Sequence, residues 1–111
     1  MTAVDFNNLD LDALRAEAEN KYKNLTVRGV VFRGLMRVSK DDRKQFNDMM
    51  AARKAGESQD EDVTEFYRRM LMLVAEDKGE AEKLLDEIGE DAAVLDTLVT
   101  LYFEATQVGE A

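Results

Sequence analysis

The stretch that decides the fold is residues 63–74, VTEFYRRMLMLV. Its apolar residues recur at spacings of three and four, which places them on one wide helix face. These residues are Val63, Phe66, Tyr67, Met70, Leu71 and Val74. Acidic residues at 60–62 precede the stretch, where negative charge favours a helix start. The pattern predicts a core-facing helix that ends at Gly79.

Toward the N-terminus, the chain alternates between helical and extended patterns. Residues 11–21 have Leu and Ala on one face and follow Asp10, so they predict a capped helix. Residues 25–38 are rich in β-branched residues and contain Gly29 and Gly34, which predicts a strand pair or hairpin that must lie on a helix. Ser39 is positioned to cap the helix that follows.

Toward the C-terminus, a short helix is predicted to end at Gly89, and a last helix to run from about Asp91 to Thr106. One apolar stripe of this last helix contains Val94, Leu95, Leu98, Tyr102 and Ala105. Val99, Leu101 and Phe103 lie outside that stripe. A helix that is apolar on several sides is either central or in contact with another molecule, and both interpretations stay open.

The segments together predict a mainly α domain of four to five helices with a short β-hairpin or strand pair near residues 25–38. The length of 111 residues suits a single domain covering 1–111. Residues 1–10 and 107–111 are expected to fray, and 56–60 to form an internal loop.

The composition removes most catalytic chemistry. The chain contains no Cys, His, Trp or Pro, so it has no thiolate or imidazole for nucleophilic catalysis or zinc binding. It contains neither a phosphate-binding glycine motif nor a calcium-loop motif. We therefore predict that the protein is not an enzyme and has no cofactor and no metal site.

The charge is strongly acidic and unevenly distributed. The net charge is -9, which opposes nucleic-acid binding. Residues 1–54 carry 11 basic and 8 acidic groups, whereas residues 55–111 carry 4 basic and 16 acidic groups. The split indicates head-to-tail self-association as a homo-oligomer, a basic partner, or only solvated helix faces. With no signal peptide and no membrane-spanning segment in the sequence, we expect a cytoplasmic protein without membrane partners.

Several short segments, in this order, resemble one known family. They are residues 11–18 (LDALRAEA), Lys21-Tyr22, 35–44 (LMRVSKDDRK), 73–78 (LVAEDK), 88–91 (IGED) with Val94-Leu95, and 106–111 (TQVGEA). The sequence resembles the tail assembly chaperones of long-tailed phages that infect actinobacteria, over nearly the whole chain.

The resemblance implies a role in tail morphogenesis in the host cell cytoplasm. Such chaperones bind the tape measure protein, keep it soluble until tail-tube subunits polymerise around it, and are absent from the mature virion. A ribosomal frameshift in many of these genes yields a longer product that is thought to engage the tail-tube protein.

Apolar residues outside the core stripes are the candidate contacts with the tape measure protein. They are Met72, Val99, Leu101 and Phe103. Met72 is included because Met is common on surfaces that accept varied helical partners. The acidic second half supports an alternative, a small acidic regulator that mimics nucleic acid or blocks a basic groove. A small enzyme or metal protein is a third and weaker hypothesis.

Overall fold

A computed structural model describes residues 10–56 and 61–106. In these ranges the chain forms five helices and one two-stranded hairpin, which confirms the predicted fold class. Their bounds are α1 (Leu11–Lys21), β1 (Leu25–Val27), β2 (Val30–Phe32), α2 (Lys40–Lys54), α3 (Val63–Val74), α4 (Lys78–Ile88) and α5 (Ala92–Thr106), with a 3-10 turn at Leu35–Arg37. The predicted frayed ends and internal loop lie outside the described ranges, apart from Asp10 and Gly56 at their edges.

The hairpin is closed by a two-residue turn at Arg28 and Gly29. Both residues have positive φ, 51° and 82°, which is the geometry that matches the twist of two antiparallel strands. The strands pair with Leu25 opposite Phe32 and Val27 opposite Val30. This register directs Val30 and Phe32 into the core, where both are buried.

The second edge of β2 pairs with the junction between α3 and α4. The Arg33 N–H donates to the Val74 carbonyl (2.8 Å), and the Glu76 N–H donates to the Val31 carbonyl (2.9 Å). The chain must become extended to make these bonds, so α3 ends at Val74. The predicted end at Gly79 is therefore wrong, since Gly79 lies in the first turn of α4.

The core is organised around α3, which packs against α2, α4 and α5. Four members of its predicted stripe are buried, namely Phe66, Met70, Leu71 and Val74. On the hairpin side, β2 contacts α4 and β1 contacts α5. The Tyr102 hydroxyl of α5 donates to the Arg33 carbonyl (2.7 Å), which ties α5 to the end of β2.

Side-chain caps fix several helix starts. Asp10 accepts from the Ala13 N–H of α1 (2.8 Å), and Ser39 accepts from the Asp42 N–H of α2 (3.1 Å). Asp77 accepts from the Glu80 N–H of α4 (3.1 Å). Each bond satisfies a donor that the first turn of a helix leaves unpaired. The predicted caps at Asp10 and Ser39 are confirmed.

The buried face of α5 differs from the predicted stripe. Leu95, Leu98, Val99 and Tyr102 are buried, at spacings of three and four, whereas Val94 is exposed. The helix is therefore rotated relative to the prediction, and its outward side carries Val94 and Leu101. Among the described residues, no helix is long and apolar enough to span a membrane.

Candidate partner-binding surfaces

A groove with an apolar floor lies between α2 and α3 and is called the α2–α3 groove below. Its volume is about 610 Å³. It is lined by Gln45, Asp48, Met49, Ala52, Arg68, Arg69, Met72, Leu73 and Lys78. Its apolar members come from facing helices, with Met49 and Ala52 on α2 and Met72 and Leu73 on α3. A groove of this composition suits the apolar face of a helix.

Three of the four charged residues that line the α2–α3 groove are cations, and a carboxylate just outside the lining offsets each of them. Arg68, Arg69 and Lys78 outnumber Asp48 there. Each cation has one carboxylate partner outside the lining: Arg68 pairs with Asp86 (2.7 Å), Arg69 with Glu61 (2.5 Å) and Lys78 with Asp42 (3.4 Å). These pairs hold the cations in place at the mouth of the groove.

The outer face of α5, defined by Val94 and Leu101, is a second apolar surface. Their exposed fractions are 45% and 48%. A separation of seven residues is close to two helical turns, so the two side chains point in nearly the same direction. Between them, the Thr97 hydroxyl donates to the Ala93 carbonyl (2.8 Å), so its hydrogen bond is made within the helix.

The third apolar surface is the Leu stripe of α1, defined by Leu11 and Leu14. These residues are 58% and 50% exposed, and α1 contains no buried residue. An ion pair between Glu19 and Arg37 joins the C-terminal part of α1 to the 3-10 turn. The sequence pattern places these residues on one helix face, and the structure leaves that face without a buried residue.

The comparison with protein families gives the context for these surfaces. A family model described as mycobacteriophage tail assembly protein matches residues 5–111. The chain belongs to this family. No curated protein and no solved structure matches it. Membership confirms the resemblance found in the sequence and favours a tail-assembly role over an acidic regulator.

The four candidate contact residues of this tail assembly protein do not form one site. Met72 lines the α2–α3 groove, and Leu101 lies on the outer face of α5. Phe103 is half-buried, with its ring edge-on to Phe46 at a centroid distance of 6.3 Å. Val99 is only 6% exposed and belongs to the core. The expectation that Val99 lies on the surface is wrong, because α5 turns that side toward the core.

Part of the uneven charge is used within the molecule. Arg28 of the hairpin turn pairs with Glu87 of α4 (2.7 Å), and Arg33 pairs with Glu76 (3.2 Å). Both pairs join the basic first half of the chain to the acidic second half. Some of the opposite charges on the two halves of the chain therefore form ion pairs within the subunit, whatever role the remaining charges have between molecules.

Two tyrosines have perturbed acidity. The Tyr67 hydroxyl donates to Asp96 (2.9 Å), and this hydrogen bond raises the pKa of Tyr67. Burial raises the pKa of Tyr102. Both shifts keep the hydroxyl protonated as a hydrogen-bond donor. Among residues 10–56 and 61–106, no group of three or more carboxylates is arranged to hold a metal ion.

Proposed function

We propose that this tail assembly protein is a chaperone that binds the tape measure protein and keeps it soluble in the cytoplasm of the infected host. The observation that supports the proposal is that a protein of this family exposes apolar residues on the outer face of α5. Val94 and Leu101 form an apolar helix face that the described part of the subunit leaves uncovered.

The spacing of the outer face of α5 suits a long helical partner. Val94 and Leu101 lie about 10 Å apart along the helix axis, since each residue rises about 1.5 Å. An extended helix with a repeating apolar stripe presents side chains at a similar interval. Two apolar side chains bury little area, so a single contact is weak.

Many copies along one tape measure compensate for that weakness. Simultaneous binding at repeated positions raises the overall affinity without requiring a strong single contact. The net charge of -9 per copy gives mutual repulsion between coated assemblies, which keeps them dispersed. This combination of weak apolar contacts and a charged exterior is what a temporary holder of an aggregation-prone helix requires.

The same proposal covers the later steps of assembly. A longer product of the same gene, made by frameshifting, would recruit the tail-tube protein, and tube polymerisation would then displace the chaperone. The chaperone would therefore be absent from the mature virion. No catalytic step is required of the protein at any of these stages.

The test is co-expression of the chain with its cognate tape measure protein. The variant carries Val94→Ser and Leu101→Ser, and the readout is the fraction of tape measure protein that remains soluble. Phe103 is left intact, because its contact with Phe46 makes its loss a folding defect. The matched control is Met36→Ser, which alters an exposed apolar residue that is not part of α5.

We expect the double variant to lose most of the solubilising effect and the Met36 control to retain it. Circular dichroism and a thermal melt verify that both variants remain folded. Full solubilisation by a folded double variant would contradict the assignment of the outer face of α5. Failure of the unmodified chain to solubilise or capture the tape measure protein would contradict the chaperone role itself.

A further inference from the structure

We propose that α1 of one copy docks in the α2–α3 groove of a second copy, so that subunits associate head to tail. The proposal concerns self-association and is independent of the tape measure protein. It joins two features of the subunit that are each incomplete alone: a helix with no buried residue and a groove with an apolar floor.

The first observation is that α1 is an amphipathic helix without a partner surface. Leu11, Leu14 and Ala18 lie at spacings of three and four on one face, and none of them is buried. No residue of α1 lines the α2–α3 groove of its own copy. The Glu19–Arg37 ion pair holds only the C-terminal part of α1, so its leucines are presented away from that attachment.

The second observation is the match between the groove and the helix. Met49, Ala52, Met72 and Leu73 form an apolar floor between two helices. Met side chains adjust to the shape of an incoming helix, and Ala52 leaves room beside them. A stripe with Leu at two positions three residues apart is the kind of anchor that helix-in-groove recognition uses.

The third observation is charge complementarity. Over residues 10–21, Asp10, Asp12, Glu17 and Glu19 outnumber Arg15 and Lys21 by two. On the groove, Arg68, Arg69 and Lys78 are paired with carboxylates, and Arg69 is the one of the three whose side chain is more than half exposed.

Arg69 of the rim retains capacity for this contact, whereas Arg68 and Lys78 already donate to carbonyls of their own subunit. Arg69 uses only Nη1 for its bonds to Glu61 among the described residues, and its side chain is 55% exposed. Its other donors are therefore available to a carboxylate of α1. The outer face of α5 has no cation at either helix end, so the acidic α1 is better matched to the groove.

The proposed pairing is heterologous: a helix on one copy meets the groove of a second copy, and the groove of the first copy receives the helix of a third. Each subunit then offers one helix and one groove, so association continues beyond a dimer as a ring or an open chain. One docked helix buries a small interface, so the affinity between copies is low. The degree of association therefore depends on the protein concentration.

The test is sedimentation velocity of the full chain, without any partner, over a series of concentrations. We expect the unmodified protein to form larger species as concentration rises. Leu11→Ser with Leu14→Ser is expected to weaken association by about a hundredfold, about tenfold for each half-exposed Leu. Leu101→Ser is the matched control, since it removes a Leu of similar exposure on α5 and should leave association unchanged.

The groove is tested with Met72→Glu, which places a carboxylate against the acidic α1. Because Met72 is partly buried, Arg69→Glu provides a second variant at a more exposed position. Both are expected to remain monomeric at concentrations where the unmodified protein associates. Circular dichroism verifies that each is folded.

Mixing distinguishes helix-in-groove docking from pairing of like surfaces, and growth of the unmodified protein beyond a dimer distinguishes head-to-tail docking from a reciprocal exchange of α1. The α1 variant keeps an intact groove, and the groove variant keeps an intact α1. An equimolar mixture of these two monomeric variants should form a dimer and no larger species. A mixture that stays monomeric would overturn the proposal, as would association that survives loss of both leucines.

Two further results would also count against it. An unmodified protein that is monomeric at every concentration would indicate that α1 does not dock on a second copy. Equal weakening by Leu101→Ser would place the interface on α5 instead. None of these results depends on the tape measure protein, so failure here and failure of the proposed function are separable.

Discussion

Replacing Gly79 with Ala is expected to stabilise the protein, whereas replacing Gly89 with Ala is expected to destabilise it. Gly79 lies in the first turn of α4, and within 10–56 and 61–106 the side-chain atom that a Cβ there would approach is Asp77 Oδ1, at 3.4 Å. Gly89 ends α4 with φ 72° and ψ -134°, a conformation that side-chain-bearing residues rarely adopt. The two substitutions are chemically identical, so only the backbone conformation separates them.

The structure gives the size of each effect. Ala in place of a helical Gly stabilises by about 0.5–1 kcal/mol, because Ala loses less backbone entropy on folding. Ala at Gly89 is expected to cost about 1–3 kcal/mol, because it forces a side chain into a sparsely populated backbone region. Among the described residues, apart from Gly89 and its two chain neighbours, no atom lies within 4 Å of the Gly89 Cβ position, so this cost is conformational and not steric.

Urea denaturation followed by circular dichroism measures both changes in the free energy of unfolding. The denaturant slope should be unchanged, so that the midpoint reports stability directly. A Gly79→Ala variant destabilised as much as Gly89→Ala would refute the reasoning. It would mean that Gly79 ends a helix, as the sequence pattern alone suggests.

Three other predictions concern the core and the tyrosines. Tyr102→Phe should lower the free energy of unfolding by about 1–3 kcal/mol in a urea titration, because the Arg33 carbonyl loses its donor, and an unchanged midpoint would contradict this. Leu71→Ala should cost about 2–5 kcal/mol in the same assay, because Leu71 is buried, whereas Leu101→Ala on the surface should stay within about 0.5 kcal/mol. Folding raises the pKa values of Tyr67 and Tyr102, so the unfolded chain loses these protons at lower pH than the folded chain. The free energy of unfolding should therefore fall as pH rises above about 10, and it should fall less steeply in Tyr102→Phe. Stability that is flat across this pH range in thermal melts would refute that prediction.

The sequence predicts the helical framework well, because the signals for it are local. The stripe of α3 identifies its buried face, and Ser39 marks the start of α2 through a side-chain cap. The hairpin follows from β-branched residues on either side of a glycine turn. Each of these features is set by residues only a few positions apart.

Features that depend on distant contacts could not be predicted in the same way. The end of α3 at Val74 is imposed by hydrogen bonds to β2, which a local reading cannot include. Asp77 followed by Glu80 is a local helix-start pattern, and it indicates the observed boundary where Gly79 does not.

The orientation of α5 is a different kind of error. The helix is apolar around much of its circumference, so its periodicity allows more than one buried face. Contacts of α5 with α3 and β1 determine that Val99 is buried and Val94 is exposed. The sequence pattern of α5 therefore could not distinguish surface residues such as Leu101 from core residues such as Val99. The exposure of α1 could not be predicted either, because an amphipathic stripe looks the same whether or not another element covers it.

The bonds between β2 and the α3–α4 junction also govern how the protein can be made. A ribosome releases the N-terminal part of the chain first, and the partner of the second edge of β2 follows only about forty residues later. Phe32 therefore cannot reach its final environment before residues 74–76 have been synthesised. The end of β2 is completed later still, because the Tyr102 hydroxyl of α5 donates to the Arg33 carbonyl.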